Sequence, residues 1–276
     1  MNVPPHRRPP TLRLLWRAEG WAVLDKPAGL AVAGERNRPG GRTPLLEAAA
    51  AALGVEHVLV VHRLDRDTTG CLVVATNPAA HRALSLAFQQ RRVVKTYLGL
   101  VEGVPQALAG QIDAPLERDP RGGSRMRVAR PGRLRPGAPR PRAARTRWRL
   151  LVPFRRHALL ALWPETGRQH QLRVHLRQLG HPLVGDPLYG GAEREGLRLS
   201  ALKPGYRPAR GRAERPLVQR PALHAWKLLL PAPEPGCSPL PAPDAAIRVR
   251  APLPQDLRRA LRQLLRFART APRTRD

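Results

Sequence analysis

The chain has 276 residues, 42% of them hydrophobic, enough to bury a sizeable core in one large domain or two small ones. It carries 49 Lys and Arg against 20 Asp and Glu, a net charge of +29, which favours a polyanionic partner, with nucleic acid ahead of membrane. No apolar stretch approaches the roughly 20 residues of a membrane span, and no apolar core follows the basic N-terminus as it would in a signal peptide, so the expected compartment is the cytoplasm.

Only four of the cations are lysines, and alanine and proline are abundant, so biased codon composition is a competing source of part of the charge. Cys71 and Cys237 lie far apart and make neither a zinc cluster nor a disulfide framework. Residues 1–12 are basic and proline-rich and read as a loose arm. Trp21 to Leu24 is an apolar run stopped by Lys26-Pro27-Ala28-Gly29, a strand entering a turn. Thr43-Pro44 offers a cap followed by proline at the first helical position, leading into a helix that Gly54 ends.

His57 to Val61 reads as a strand, with His62-Arg63-Leu64-Asp65 in the loop after it, and Cys71 to Ala75 as a second strand. Asn77-Pro78 repeats the helix-start signal, with Ala80, Leu84, Ala87 and Phe88 along one stripe and an end near Gln90. Val93 to Val101 alternates as a strand. Residues 118–149 hold twelve arginines and one aspartate among glycines and prolines, a basic insertion or long hairpin with a mobile tip. Leu159 to Trp163 returns to strand, and Arg168 to Leu179 reads as a helix with Leu172, Leu176 and Leu179 on one face. Residues 191–220 form a second basic, irregular segment; Leu223 to Leu230 is a late strand; Asp256 to Arg269 is an amphipathic helix with its arginines outward. Irregularly alternating strands and helices predict an α+β fold with a mixed, largely antiparallel sheet flanked by helices, with 13–270 as a single domain.

Three polar clusters carry chemistry. His62 to Gly70 is the densest run behind an apolar strand, where a rigid scaffold presents reactive groups; its plainer reading is an ion-paired turn capped by Asp67. Pro164 to His175 has the plainer reading of a capped amphipathic helix with solvated arginines, and Val94-Lys95-Thr96-Tyr97-Leu98 that of an ordinary strand with a half-buried tyrosine. His170 and His175, five residues apart, diverge on a helix and have no carboxylate beside them, so no metal site is expected. The absence of a dinucleotide fingerprint or P-loop argues against a nucleotide cofactor.

His62 to Gly70 resembles the HRLDxxTSG signature of the RluA-type pseudouridine synthases. Lys26 to Gly29 is similar to that family's KPxG element, Lys95-Thr96-Tyr97 to its K-x-Y element, and Leu223-His224-Ala225-Trp226 to its LHAW segment. Thr166 to Arg173 and Gly180 to Gly190 resemble its TGRxHQIRxH and GHPxxGDxxYG elements. Six elements in family order between residue 21 and about residue 230 make coincidence a poor account.

The resemblance implies a pseudouridine synthase fold and the isomerisation of uridine to pseudouridine in structured RNA, ribosomal or transfer, by a monomer needing no cofactor. It implies that Asp65 is the carboxylate that starts the reaction and that Tyr97 stacks on the flipped base and assists proton removal from its carbon. It implies that Arg173 pairs with Asp65 and Arg63 fills the space the base leaves, with His62, Arg66, Thr69, Lys95, Arg168 and His170 as further substrate-binding candidates. An arginine within reach lowers a carboxylate's pKa and orients it, and an aromatic face holds a flipped base. Asp186, Tyr189, Asp67 and Thr68 are expected to hold turns. Thr69 stands where the family has serine, and Gly99 where it has alanine. No stretch before residue 21 has the length of the S4-type module many relatives carry, so the catalytic domain and its insertions are expected to bind the RNA. Hydrolysis of a glycosidic bond would want two facing carboxylates, and a non-catalytic RNA-binding or ribosome-assembly protein would share the charge without the chemistry.

Overall fold

The computed structural model describes residues 12–32, 44–129, 139–208, 213–231 and 246–268. In chain order these form β1 (Arg13–Ala18), β2 (Trp21–Lys26), α1 (Pro44–Leu53), β3 (Leu59–Val60), β4 (Thr69–Ala75), α2 (Pro78–Gln89), β5 (Val94–Glu102), β6 (Ala109–Asp113), β7 (Leu116–Arg118), β8 (Met126–Val128), β9 (Arg145–Pro153), β10 (His157–Pro164), α3 (Gln171–Gln178), β11 (Leu223–Leu230), β12 (Ile247–Arg250) and α4 (Gln255–Phe267). The chain divides into two compact units, one of residues up to Val93 with Lys227–Pro252, the other of Val94–Trp226 with the residues from Leu253 on. Mostly antiparallel strands with four helices make the α+β class expected from the sequence.

In the first unit β2 lies between β1 and β4, antiparallel to both, and β3 also pairs with β4. All seven residues of β4 are buried, which its small and β-branched residues permit on both faces. Ala80 and Leu84 of α2, both 1% exposed, pack on Val23 and Val73. Asn77 caps that helix by accepting the Ala80 N–H at 2.8 Å, the contact its residue type favours. Thr43, read as the cap of α1, lies outside the described residues.

In the second unit β10 runs between β5 and β9, with β6 on the far side of β9. Leu257, Ala260 and Leu264 of α4 are fully buried against Leu98, Leu100, Phe154 and Val218. The segment 191–220 contributes Leu197, Leu202 and Val218 to this core.

Three boundaries differ from the sequence reading. The strand placed at His57 to Val61 is only Leu59–Val60. The helix placed at Arg168 to Leu179 starts at Gln171, because His170 takes a left-handed conformation (φ 54°) that no α-helix continues through. Of the basic stretch 118–149, Arg145 to Arg149 belong to β9, and β7 and β8 pair as a hairpin; the supposed mobile tip at 130–138 lies outside the described residues.

Candidate active site

The Asp65 loop belongs to the first unit, and its shape is set by a buried lysine. Lys26 closes β2 with no exposed surface, and its Nζ donates to the carbonyls of Pro27 (3.0 Å), Arg66 (2.7 Å) and Thr68 (2.9 Å). An ammonium has three protons and is costly to bury without acceptors, so these carbonyls both satisfy it and are held by it. The Gly29 N–H donates to Arg66 O at 3.0 Å, and Arg66 Nε donates back to Gly29 O at 3.2 Å. The Thr68 N–H donates to Asp65 O at 3.1 Å, closing the turn. The KPxG-like element is thus the seat of the HRLD-like loop.

His62 accepts the Val73 N–H on Nε2 at 2.9 Å and stacks on Phe88 with 4.5 Å between centroids. That acceptor role puts a neutral ring's proton on Nδ1. Leu64, Thr68 and Thr69 point inward, Asp65 is half-buried, and Arg63 and Arg66 are exposed. Replacing Lys26 by Met removes a cation from three carbonyls, an expected loss of ~1.5–3 kcal/mol of stability. Urea unfolding measures it, and faster hydrogen exchange at the Thr68 amide localises it.

Tyr97, Lys95, Arg168, His170 and Arg173 belong to the second unit. Tyr97 sits on β5 opposite Leu162 and is 8% exposed. Gly99 follows on the same face, where an added Cβ would come within 3.1 Å of both Leu162 and Leu183, so the departure from alanine fits a space those leucines already fill.

The TGR-like turn is organised by Gln171. Its Oε1 accepts from Thr166 Oγ1 (2.7 Å) and the Arg168 N–H (3.0 Å), and its Nε2 donates to Arg145 O (2.9 Å) and Thr146 Oγ1 (3.1 Å). All four positions of that amide are used. Arg168 Nε donates to Ala143 O at 3.0 Å. His170 Nδ1 bonds the Tyr189 hydroxyl at 2.9 Å, and that hydroxyl accepts the Met126 N–H at 2.7 Å, joining this turn to the β7–β8 hairpin. Burial pushes the Tyr189 phenol above its usual pKa.

The first six residues of α3 are all buried, including Gln171, Arg173 and His175, so a reading with solvated arginines fails at Arg173 and holds only for Arg177 in the last turn. Arginine is rarely buried unpaired. Arg173 Nε and Nη2 donate to the two oxygens of Asp186, each at 2.7 Å, and Asp186 has no exposed surface. Asp186 Oδ1 also accepts the N–H groups of Leu188 (3.0 Å) and Tyr189 (3.1 Å). Asp186 holds the turn expected of it, but it also fixes the guanidinium's direction; the sequence reading missed that second role, as it missed what Lys26 and Gln171 do.

His175 has no exposed surface; its Nδ1 lies 2.9 Å from Thr146 Oγ1 and its Nε2 3.0 Å from Ala114 O. Burial holds its pKa below the usual 6.5 despite that carbonyl. Neutral His175 therefore contributes stability that is complete above about pH 6.5 and is lost as pH falls through its lowered folded value. The denaturation midpoint of wild type is expected to fall between about pH 7.5 and about pH 5.5 by more than that of His175→Gln. Equal falls would place the titration elsewhere. Among the described residues no group of three or more His, Cys, Asp or Glu is placed to hold a metal ion, and no helix is long and apolar enough to cross a membrane.

Comparison with known proteins follows the same residues. Residues 20–178 match the family model described as RNA pseudouridylate synthase. Ribosomal large subunit pseudouridine synthase D of Nitrosomonas europaea is 40% identical over 243 residues, 86% of this chain and 64% of that protein. The protein of the same name from Xanthomonas campestris is 38% identical, over 92% of this chain and 69% of its own length. This chain thus spans about two thirds of their length. The solved structure of human RNA Pseudouridylate Synthase Domain Containing 4 superposes with a TM-score of 0.66 at 25% identity, covering 92% of this chain and 93% of that one. The chain belongs to the RNA pseudouridylate synthase family.

Proposed function

We propose that this protein isomerises uridine to pseudouridine at specific positions in structured RNA, with Asp65 as the reacting carboxylate and the target base turned out of its stack. The observation that carries the reading is the Asp65 loop: a family signature whose backbone is gripped at Arg66 and Thr68 by the buried ammonium of Lys26. A group that must meet a single sugar or base atom has to be held to well under an ångström, and loops achieve this only when their backbone is anchored.

The reaction breaks the N1–C1′ bond, turns the base, forms the C5–C1′ bond, removes the C5 proton and returns a proton to N1. It needs no electron acceptor and no group donor. We assign Asp65 to the sugar or its proton, Tyr97 to the face of the base and to the C5 proton, and Arg173 as the positive charge that keeps the carboxylate ionised. His62, Arg63, Arg66, Thr69, Lys95, Arg168 and His170 are assigned to the RNA around the target. The names of the relatives favour large-subunit ribosomal RNA over transfer RNA, and we place the reaction in the cytoplasm, carried out by a monomer.

The test is pseudouridine mapping by carbodiimide primer extension on total RNA from cells with and without the gene, repeated with purified protein on the unmodified transcripts. Stops at one or a few uridines that vanish with the gene and return with the protein are expected. Tight RNA binding with no pseudouridine in any cellular RNA would leave a non-catalytic RNA-binding or assembly role instead.

A further inference from the structure

The outward face of α4 is a second feature built for a polyanion. Arg258, Arg262 and Arg266 follow one another at intervals of four residues and are exposed, with Arg259 beside them. Successive members of such a series lie about 6 Å apart along one stripe. The turn between β9 and β10 adds exposed Arg155 and Arg156 at the helix's C-terminal end, where the Arg155 N–H donates to Ala268 O at 2.9 Å. None of these six arginines has an ion-pair partner among the described residues. The one acid of α4, Asp256, is committed to Arg220, which donates to it from Nε at 2.8 Å and from Nη2 at 3.0 Å.

Left alone, this arrangement is unfavourable. Like charges at i, i+4 destabilise a helix, and Arg258 and Arg259 stand in or next to the first turn, where the helix dipole disfavours cations. A bound anion offsets both effects. The helix cannot supply the apolar face that membrane binding requires, because Leu257, Ala260 and Leu264 are fully buried in the core of their unit and Leu265 is the one large apolar residue of α4 that is exposed, at 49%. That favours RNA over an anionic bilayer.

We infer that the Arg258–Arg262–Arg266 face of α4, with Arg155 and Arg156, is an RNA-docking surface that grips the phosphate backbone of the substrate RNA outside the segment holding the target uridine. It rests on the RNA-modifying reading above. Its contacts are to phosphates, so it sets affinity and not sequence preference.

The experiment is a salt titration of binding to a large-subunit ribosomal RNA domain. It compares wild type with R258Q/R262Q/R266Q and with the control R17Q/R82Q/R91Q, three exposed arginines of the other unit. These are surface changes that keep α4's buried face, and matching far-ultraviolet spectra and melting curves check that all three proteins fold. The α4 triple is expected to bind about tenfold or more weakly at moderate salt, and the slope of log K against log salt is expected to shrink by ~2–3, as for three lost phosphate contacts. The control is expected to lose far less. Equal losses in the two triples would mean that bulk charge is at work and would overturn the inference. So would tighter binding of the wild type to vesicles of anionic lipid than to the RNA, abolished in the α4 triple. If wild type itself neither bound nor modified RNA, it is the proposed function that would fall.

Discussion

Asp65→Asn is expected to retain RNA binding within about twofold while pseudouridine formation falls by at least ~10³-fold, the scale seen when a reacting side chain is removed from an otherwise intact site. The two side chains have the same shape. What the amide lacks is the charge, and neither nucleophilic attack nor proton abstraction proceeds without it. The loop itself is expected to stay as it is, because its anchors are backbone groups. Asp65 contributes its carbonyl to the Thr68 N–H, and Lys26 holds the carbonyls of Arg66 and Thr68. Single-turnover assays with excess protein, read by mass spectrometry of nuclease digests, separate this chemical loss from any change in affinity. A wild-type rate in the Asn protein would remove Asp65 from the mechanism.

Asp186→Asn is expected to be the most destabilising single exchange around Arg173. The amide oxygen still accepts from the backbone of Leu188 and Tyr189, but the amide nitrogen then faces the guanidinium that the carboxylate had matched at two points of 2.7 Å. Arg173 is 6% exposed and Asp186 has no exposed surface, so the exchange takes away the carboxylate that meets the guanidinium at two points in a dry site. Removing one member of a buried pair typically costs ~3–5 kcal/mol. For a chain of this size that lowers Tm on the order of 10 °C. The double exchange Arg173→Met with Asp186→Asn is expected to be more stable than Asp186→Asn alone, since the buried guanidinium facing the amide is gone. A double mutant less stable than either single would show that the pair is not the main cause. Activity distinguishes the positions further: Asp186→Asn is expected to retain part of the rate, because the arginine is present though loosely oriented, whereas the double loses it.

Most of the secondary structure was legible because it rests on local chemistry. Asn77-Pro78 starts a helix wherever it occurs, and the stripe Ala80, Leu84, Ala87 found its core. The apolar runs at Trp21, Cys71 and Leu223 became β2, β4 and β11. Of the strands that escaped notice, β1, β6 and β12 are no more than six residues long and expose half or more of them, and β9 begins inside the arginine-rich stretch, where charge masks its alternation of exposed and buried residues. The start of α3 was misplaced by three residues because nothing in Arg168-Gln169-His170 announces a left-handed turn; that turn is imposed by Gln171 reaching Thr166, Arg145 and Thr146.

The sequence by itself determined the family, through ordered motifs whose residue types the chemistry requires, and it singled out Asp65, Tyr97 and Arg173 as the residues to test. What the tertiary structure decided was which charges are buried and who answers them. Lys26 meets carbonyls 40 and 42 residues away, Arg173 meets Asp186 across 13 residues, and His175 lies beside Ala114 O across 61. Motifs record which groups are present, but the cost of burying a charge or a ring nitrogen is met by whichever partner the fold brings within hydrogen-bond distance, and that distance exists only once the chain has folded.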